Sequence, residues 1–447
     1  MRHFALFSIL LGAAMAASSF MLDTRANEGF TTARPGGVED IIITKDNTLN
    51  GTSNLDNNSP IVPTQVAKGS LPLEFVNNFS GDHVNAYISG LDSDNRVVFV
   101  GGDGRLIYPT AGGSKTPVKI TQPIAISMGT KGRTFKMALP ITLSSGRIYF
   151  CEGDLPFFMV STDNGDGLVQ PSVTNLKDPS AGLNWGFVEL TYTKSKALYA
   201  NISYVDFVGM ILSMKLGVSD GGGTQITRGL QSTAVENICT SLVAQSKKDS
   251  KPWSKMCVAN SAGKQIRILA PGDYETINAG DFQNYWQGYV DKVWTKYTGT
   301  PLVIDTQTSR GKVNCRVSGA TMKCDSDNRG YNKPTAQDIW GCNSGPFGTL
   351  SGDNNVHLAV IPRLCAAFVR STLLLQGGNV QPSLAASHYY TADPTNHYSR
   401  IVHANEVDGK GYAFPYDDVN PDGENASGMV SSGSPRLLVI YFGGLPA

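Results

Sequence analysis

The stretch "WGFVELTYTKSKALYANISYVDFVG", Trp185 to Gly209, decides how this chain folds. It is mostly apolar and aromatic and carries a short polar break, the pattern of two β-strands folded back on each other. One acid stands in each arm, Glu189 in the first and Asp206 in the second. A loop of Lys194–Ala197 would pair Thr193 with Leu198, set Glu189 opposite Ile202 and set Asp206 opposite Trp185. Directly opposed residues share a face. Trp185, Glu189 and Thr191 would then lie on the face of Tyr204 and Asp206. A three-residue loop would place the two acids on opposite faces.

Under that register, four residues at ~3.3 Å and one interstrand step of ~4.8 Å separate the two Cα atoms by about 14 Å. Converging side chains bring the carboxyls toward roughly 6.5–9.5 Å, room for a water between an acid and a base, rather than the ~5 Å of direct attack. Taken singly, each acid also fits a solvated strand position. An apolar wall would raise the carboxyl that must hold a proton, while a polar groove floor would keep the other ionised.

Outward from the hairpin, the texture is that of a turn-rich, mainly β chain. Of 447 residues, 48 are Gly and 23 Pro, and only 17% are charged. Lys+Arg and Asp+Glu both total 37, so no global field draws nucleic acid or an anionic membrane, and neither is expected as a partner. From Leu71 to about Met214, short strands alternate with turns, which indicates a sandwich or barrel. "SDGGGTQ", Ser219 to Gln225, marks a boundary; no helix opens after it, so it is a turn rather than a phosphate cradle. Helices follow. "DFQNYWQGYVDKVWTKYTG" runs from an N-cap at Asp281 to a C-cap at Gly299, with Phe282, Tyr285, Trp286, Tyr289, Val293 and Trp294 on one apolar face. That face is core rather than a sugar platform. "VENICTSLVAQSKKD" and "PRLCAAFVRSTLLL" read as further helices, the latter with Pro362 in its first turn. "RLLVIYFGG" returns to strand. The expected division is a signal peptide at 1–17, a flexible leader at 18–68, a β-barrel at 69–222, an α/β domain at 223–424, and a C-terminal strand at 425–447 that rejoins the barrel.

The N-terminal run Phe4–Met15, preceded by Arg2 and followed by an A-x-A pattern at Ala14–Ala16, has the form of a secretory signal. It is too short to span a bilayer, and no later segment reaches that length. Sequons start at Asn50, Asn57, Asn78, Asn201 and Asn425. Seven cysteines leave one over in a secreted chain. Cys151, in "GRIYFCEGDLPFFMV", is the candidate buried thiol. The others group by neighbourhood as 239–257, 315–324 and 342–365, and only the middle pair has a supporting turn, Ser318-Gly319. No spacing is a zinc pattern, and no metal or cofactor is expected.

The segments "GRIYFCEGDLPFF", "NWGFVELTY", "NISYVDFVG", "VWTKYTGTPLVIDT", "CNSGPF", "IPRLCAAFVRSTLL" and "NHYSRIVHANEVDGKGYAFPYDDV" resemble, in this order, glycoside hydrolase family 64. The resemblance runs from about Leu71 to the C-terminus. It implies a secreted, monomeric endo-β-1,3-glucanase of thaumatin-like fold, whose barrel and α/β domains flank a wide cleft for β-1,3-glucan. It also implies inversion, with Glu189 as general acid and Asp206 as general base, and a sugar contact at Thr191. Trp185 and Tyr204, flanking the acids, are further candidate contacts. Glu152 is a spare acid. Asp418, in "GYAFPYDDVNPDGE" with Asp417 and Asp422, belongs either to a sharp turn or to a sugar-binding edge. His403 is either a substrate contact or a hydrogen-bonded structural histidine. "DNGDG" (Asp163–Gly167) and "DSDNRG" (Asp325–Gly330) fit turns better than calcium loops. A non-catalytic thaumatin-like protein that binds β-glucan through an acidic cleft is the other functional class the sequence allows.

Overall fold

The computed structural model describes residues 29–51, 69–81, 83–163, 165–219, 223–424 and 427–445. The signal-peptide reading and the sequons at Asn57 and Asn425 lie outside them. The chain is mainly β with fewer helices.

Two sheets face each other across the main core. The larger has Val84–Leu91, Leu143–Glu152, Trp185–Tyr192 and Leu198–Asn201 side by side, each antiparallel to the next. The other places the C-terminal strand Pro435–Phe442 between Leu212–Val218 and Leu71–Asn77, parallel to the latter. In Leu71–Asn77 the residues Leu71, Leu73 and Phe75 are buried while Pro72 is exposed, the alternation of a strand with one wet face. Phe75 meets Phe150 edge-on at 5.3 Å, and Phe150 stacks on Phe442 at 4.9 Å, so aromatic contacts join the two sheets.

Helices Gln287–Gly299 and Asn355–Val369 pack with a small sheet built on Leu302–Asp305 and Lys312–Ser318, while Ala234–Asp249 packs on His397–Asn405 and on the strand Gln265–Leu269. The aromatic stripe is core, as its spacing requires: Phe282, Trp286, Tyr289, Val293 and Trp294 are all buried. Its helix begins at Gln287, later than expected. Asp281 caps nothing there; its carboxylate accepts from the Tyr274 hydroxyl and the Lys255 ammonium instead. Pro362 is likewise inside a helix rather than at its start. Asn354 caps the true N-terminus by accepting from His357 N–H at 2.9 Å, seven residues earlier than the proline pattern indicated. Burial of nearly the whole helix outweighs the one backbone bond that Pro362 removes.

The hairpin differs from its expected register. Thr193 N–H donates to Ala197 C=O at 2.9 Å, and Tyr192 pairs with Leu198, so Glu189 faces Asn201 rather than Ile202. The turn is the three residues Lys194–Lys196, with Lys196 left-handed at φ 67°. The Thr193 hydroxyl, which accepts from Ala197 N–H at 3.0 Å, closes it one residue tighter than a four-residue loop. The second strand also stops at Asn201, so the 14 Å separation built on a continuous hairpin (about that figure, from strand geometry) does not apply.

The leader is not wholly outside the fold. Thr31–Thr32 pairs in parallel with Cys257–Ala259, and Thr48–Asn50 pairs antiparallel with Gly165–Val169. Disulfides join Cys239–Cys257, Cys315–Cys324 and Cys342–Cys365, and Cys151 is a buried free thiol. Burial pushes that thiol well above its ordinary range. A thiol-reactive chromophore should therefore find no reactive cysteine in the native protein and one, at Cys151, in the unfolded unreduced protein. Labelling of a second cysteine after unfolding would contradict the pairing.

Candidate active site

Glu189 stands on the central strand Trp185–Tyr192, directly beside Arg147 of the neighbouring strand. Its alternating neighbours Trp185 and Phe187 are buried, while Glu189 and Thr191 are half-buried and line a cavity of about 470 Å³. Arg147 organises this face. Its guanidinium donates to Glu189 at 3.1 Å and to Gln170 at 3.3 Å, and lies 4.4 Å over the Phe187 ring. Gln170 in turn donates to the Tyr149 hydroxyl at 2.9 Å. The arginine is thus fixed on every side and cannot swing away freely.

Asp206 arrives by a different route. Beyond Asn201 the chain leaves the sheet, and Phe207–Val208 pairs with the strand Gln265–Leu269 of the α/β part. Met210 N–H donates to Trp185 C=O at 3.1 Å, and a Cβ on Gly209 would stand only 2.1 Å from that same oxygen. Only glycine lets the segment cross so close to the sheet. Ala270 N–H donates to the Asp206 C=O at 2.8 Å, and the Phe207 ring meets Trp185 edge-on at 4.8 Å. These contacts put Asp206 between the large sheet and the strand Gln265–Leu269, in a second cavity of about 640 Å³ that it shares with Trp185, Asp273 and Trp340.

Arg147, Gln170 and Asp46 line both cavities, so the two acids open onto adjoining parts of one cleft. Asp206 keeps solvent contact, yet the crowded walls displace enough water to raise its carboxyl. Arg147 pulls it down, while Glu189 and Asp46 push it further up. Asp273 is raised well above the ordinary carboxylate range by burial, then by Asp206 and Asp46. Two carboxylates and a fixed cation can hold a water between them and pass a proton to or from a bound neutral ligand. Among the described residues, no group of three or more His, Cys, Asp or Glu is placed to hold a metal.

Other expected contacts lie elsewhere. Tyr204 is buried away from both cavities; its backbone C=O accepts from the Tyr398 hydroxyl, and the ring follows the chain out of the sheet into the core. His403 has both ring nitrogens occupied, by Glu406 at 2.8 Å and Asp417 at 2.9 Å, which is the structural alternative for that residue. Asp418 is exposed but lines neither cavity. Trp185 forms floor rather than an open stacking face, since its ring is covered by Phe187, Phe207 and Arg267. Glu152 is held by Lys264 at 2.7 Å, outside the cleft. Asp166 accepts from Thr110 and Ser161 in a strand turn, and Asp327 binds Tyr331 and His357, so neither acidic loop is open. Arg147, Gln170, Asp273 and Asp46 gave no local signal; only long-range pairing brings them together.

The family model described as beta-1,3-glucanase, glycoside hydrolase 64, matches residues 69–442. A glucan endo-1,3-beta-glucosidase of Cellulosimicrobium cellulans is 26% identical over 389 residues, 85% of this chain and 66% of the relative. The chain thus spans just under two thirds of the length of the curated relatives it matches. Among solved structures, a laminaripentaose-producing beta-1,3-glucanase in complex with laminaritetraose is 28% identical, with a TM-score of 0.72, covering 84% of this chain and 99% of that one. A domain from Clostridium beijerinckii, 20% identical, shares the fold at a TM-score of 0.65 over 85% of this chain and 99% of its own.

The His403 network makes a prediction about stability. Burial alone would lower the imidazole, but Asp417 and Glu406 outweigh it and hold its pKa at about 10. The folded value exceeds the ordinary one, so this contribution is complete below about pH 6.5. It is lost as pH rises toward about 10. Chemical denaturation across that range should show the decline, and His403→Gln should flatten it. Asp417→Ala, which strands Arg370 as well, should cost about 3–5 kcal/mol.

Proposed function

From membership in glycoside hydrolase family 64, to which this chain belongs, we propose that it is a secreted endo-β-1,3-glucanase. It cleaves laminarin-type chains with inversion in the cleft between a thaumatin-like barrel (69–222 and 425–447) and an α/β domain (223–424). The observation that carries this reading is the meeting of Glu189 and Asp206 in one cleft, joined by Arg147. Glu189 and Asp206 also occupy the "ELT" and "YVDF" segments that resemble the family's acid and base. Three disulfides fit an oxidising compartment. Substrate is the neutral polysaccharide, and the protein acts as a monomer.

In the reaction, Glu189 gives its proton to the glycosidic oxygen as the bond from the anomeric carbon breaks. Asp206 takes a proton from water as the water oxygen bonds to that carbon from the opposite face. Thr191 and Asn201, which line the cavity beside Glu189, contact the sugar there. One observation favours the reverse roles: in the free cleft Arg147 pairs with Glu189, while Asp206 is the carboxyl raised toward protonation. The forward assignment requires bound glucan to loosen the Arg147–Glu189 pair.

Glu189→Gln and Asp206→Asn are each expected to lower laminarin hydrolysis by ~10²–10⁴-fold with folding intact. Near-normal turnover by either would remove that residue from the mechanism. An acid variant regains rate on substrates whose leaving group needs no proton, and a base variant regains it with azide. Recovery of Glu189→Ala on activated aryl glucosides and of Asp206→Ala with azide fixes the forward roles; the opposite pattern reverses them. Proton NMR of fresh digests should show the α-anomer first, and an early β-anomer would mean direct attack by a carboxylate.

A further inference from the structure

Of the residues described ahead of the family domain, Ile42 and residues 44–49 line the cleft. Residues 29–51 are held on both of its sides. On the α/β side, Thr31–Thr32 pairs with Cys257–Ala259, Ala33 is fully buried, and Ala33 N–H donates to Ala259 C=O at 2.9 Å. Between the two sides, Gly36 N–H donates to Lys177 C=O at 2.9 Å, and the Asn175 amide donates to Asp40 C=O at 2.6 Å. On the barrel side, Gln170 N–H donates to Asn47 C=O at 2.8 Å, and Thr48–Asn50 pairs with Gly165–Val169. The turn Lys45–Asn47 between these anchors overhangs the acids. Lys45 faces the Glu189 cavity, Asn47 the Asp206 cavity, and Asp46 both.

A glucan whose scissile bond lies between Glu189 and Asp206 must cross from one cavity into the other. The junction is lined by Arg147 and Gln170 below and by Asp46 above. The turn therefore stands where a sugar ring and its attacking water belong. Its grip is light: one anchor is a two-residue strand, the other a three-residue strand, and Ile42 to Asp46 are exposed. Phe30, Ala33, Ile41 and Leu49 pack on the core at the anchors, but short pairings on either side of an exposed turn are the kind of unit that opens locally without global unfolding. The family model starts at residue 69, so the segment is additional to the hydrolase domain.

We propose that residues 29–51 form an autoinhibitory strap, an intramolecular occupant of the glucan groove that polysaccharide must displace. The proposal rests on the glucanase reading above. The strap's carboxylate also works against the base: Asp46 is among the charges that favour the protonated form of Asp206, and its departure relieves that pressure. An occupant that competes with substrate raises KM and leaves kcat alone, because saturating substrate still reaches the open form. A strap seated for about nine-tenths of the time raises KM about tenfold.

The test uses the full chain. Gly51→Pro, which removes the Gly51 N–H bond to Asp166 C=O at the barrel anchor, and Ala33→Asp at the α/β anchor should each lower KM for laminarin by about tenfold with kcat unchanged. A synthetic peptide of residues 29–51 added to either variant should inhibit competitively. Unchanged or raised KM in folded variants, or no inhibition by the peptide, overturns the strap. Hydrogen exchange at residues 42–50 of Glu189→Gln gives a readout independent of hydrolysis. Laminaritetraose should accelerate it, and unchanged or slowed exchange overturns the strap as well. If laminaritetraose loosens the strap but no form of the chain cleaves glucan, the strap stands and the hydrolase reading falls.

Discussion

The passage of Gly209 over the carbonyl of Trp185 is the contact on which the site depends. It ends a two-stranded arm of the large sheet and hands the chain to the strand Gln265–Leu269, so that neighbouring stretches of chain belong to different sheets. Any side chain at 209 would meet backbone oxygen rather than a flexible group, and backbone in a packed sheet cannot yield. Asp206, three residues earlier, inherits its place from that crossing. Glu189 takes its place from ordinary strand register. One acid is thus fixed by the large sheet and the other by the crossing to Gln265–Leu269, so their separation depends on how those two elements pack.

That division explains what was legible beforehand. Glu189 and Asp206 stood out because acids in apolar, aromatic arms are conspicuous, and the family resemblance pointed at the same pair. The geometry offered for them was nevertheless wrong. A continuous hairpin puts them on one face only with a four-residue loop, whereas Thr193 closes a three-residue turn and the strand then ends. By parity alone the acids would have pointed apart. The chain brings them together by leaving the sheet, and a local pattern of alternation carries no information about that. Cysteine neighbourhoods and the aromatic helix face were readable because they are short-range facts. Helix starts were not: Asn354 caps one helix well before Pro362, and the other opens at Gln287, after Asp281, with no side-chain cap at all. The polar leader was misjudged for a related reason. Its two short strands have too few residues for a periodic signal and acquire a partner only from the folded domain.

Charge is the remaining constraint on the cleft. Glu189 and Asp206 flank Arg147, Asp46 and Asp273 stand close enough to Asp206 to repel it, and a neutral glucan brings nothing to balance them. The protein must therefore set protonation from its own groups. Burial and mutual repulsion raise the carboxyls of Asp206 and Asp273, and Arg147 opposes that rise at Asp206. Arg147 can act as a fixed point because Tyr149, Gln170 and Phe187 leave it a single position. By contrast, the buried set of Arg370, His403, Glu406 and Asp417 is closed on itself, each charge meeting a partner within the set. The first arrangement is unbalanced and open to the cleft; the second is balanced and sealed. A site that moves protons needs the former, because a carboxylate satisfied as fully as Asp417 has no reason to exchange one.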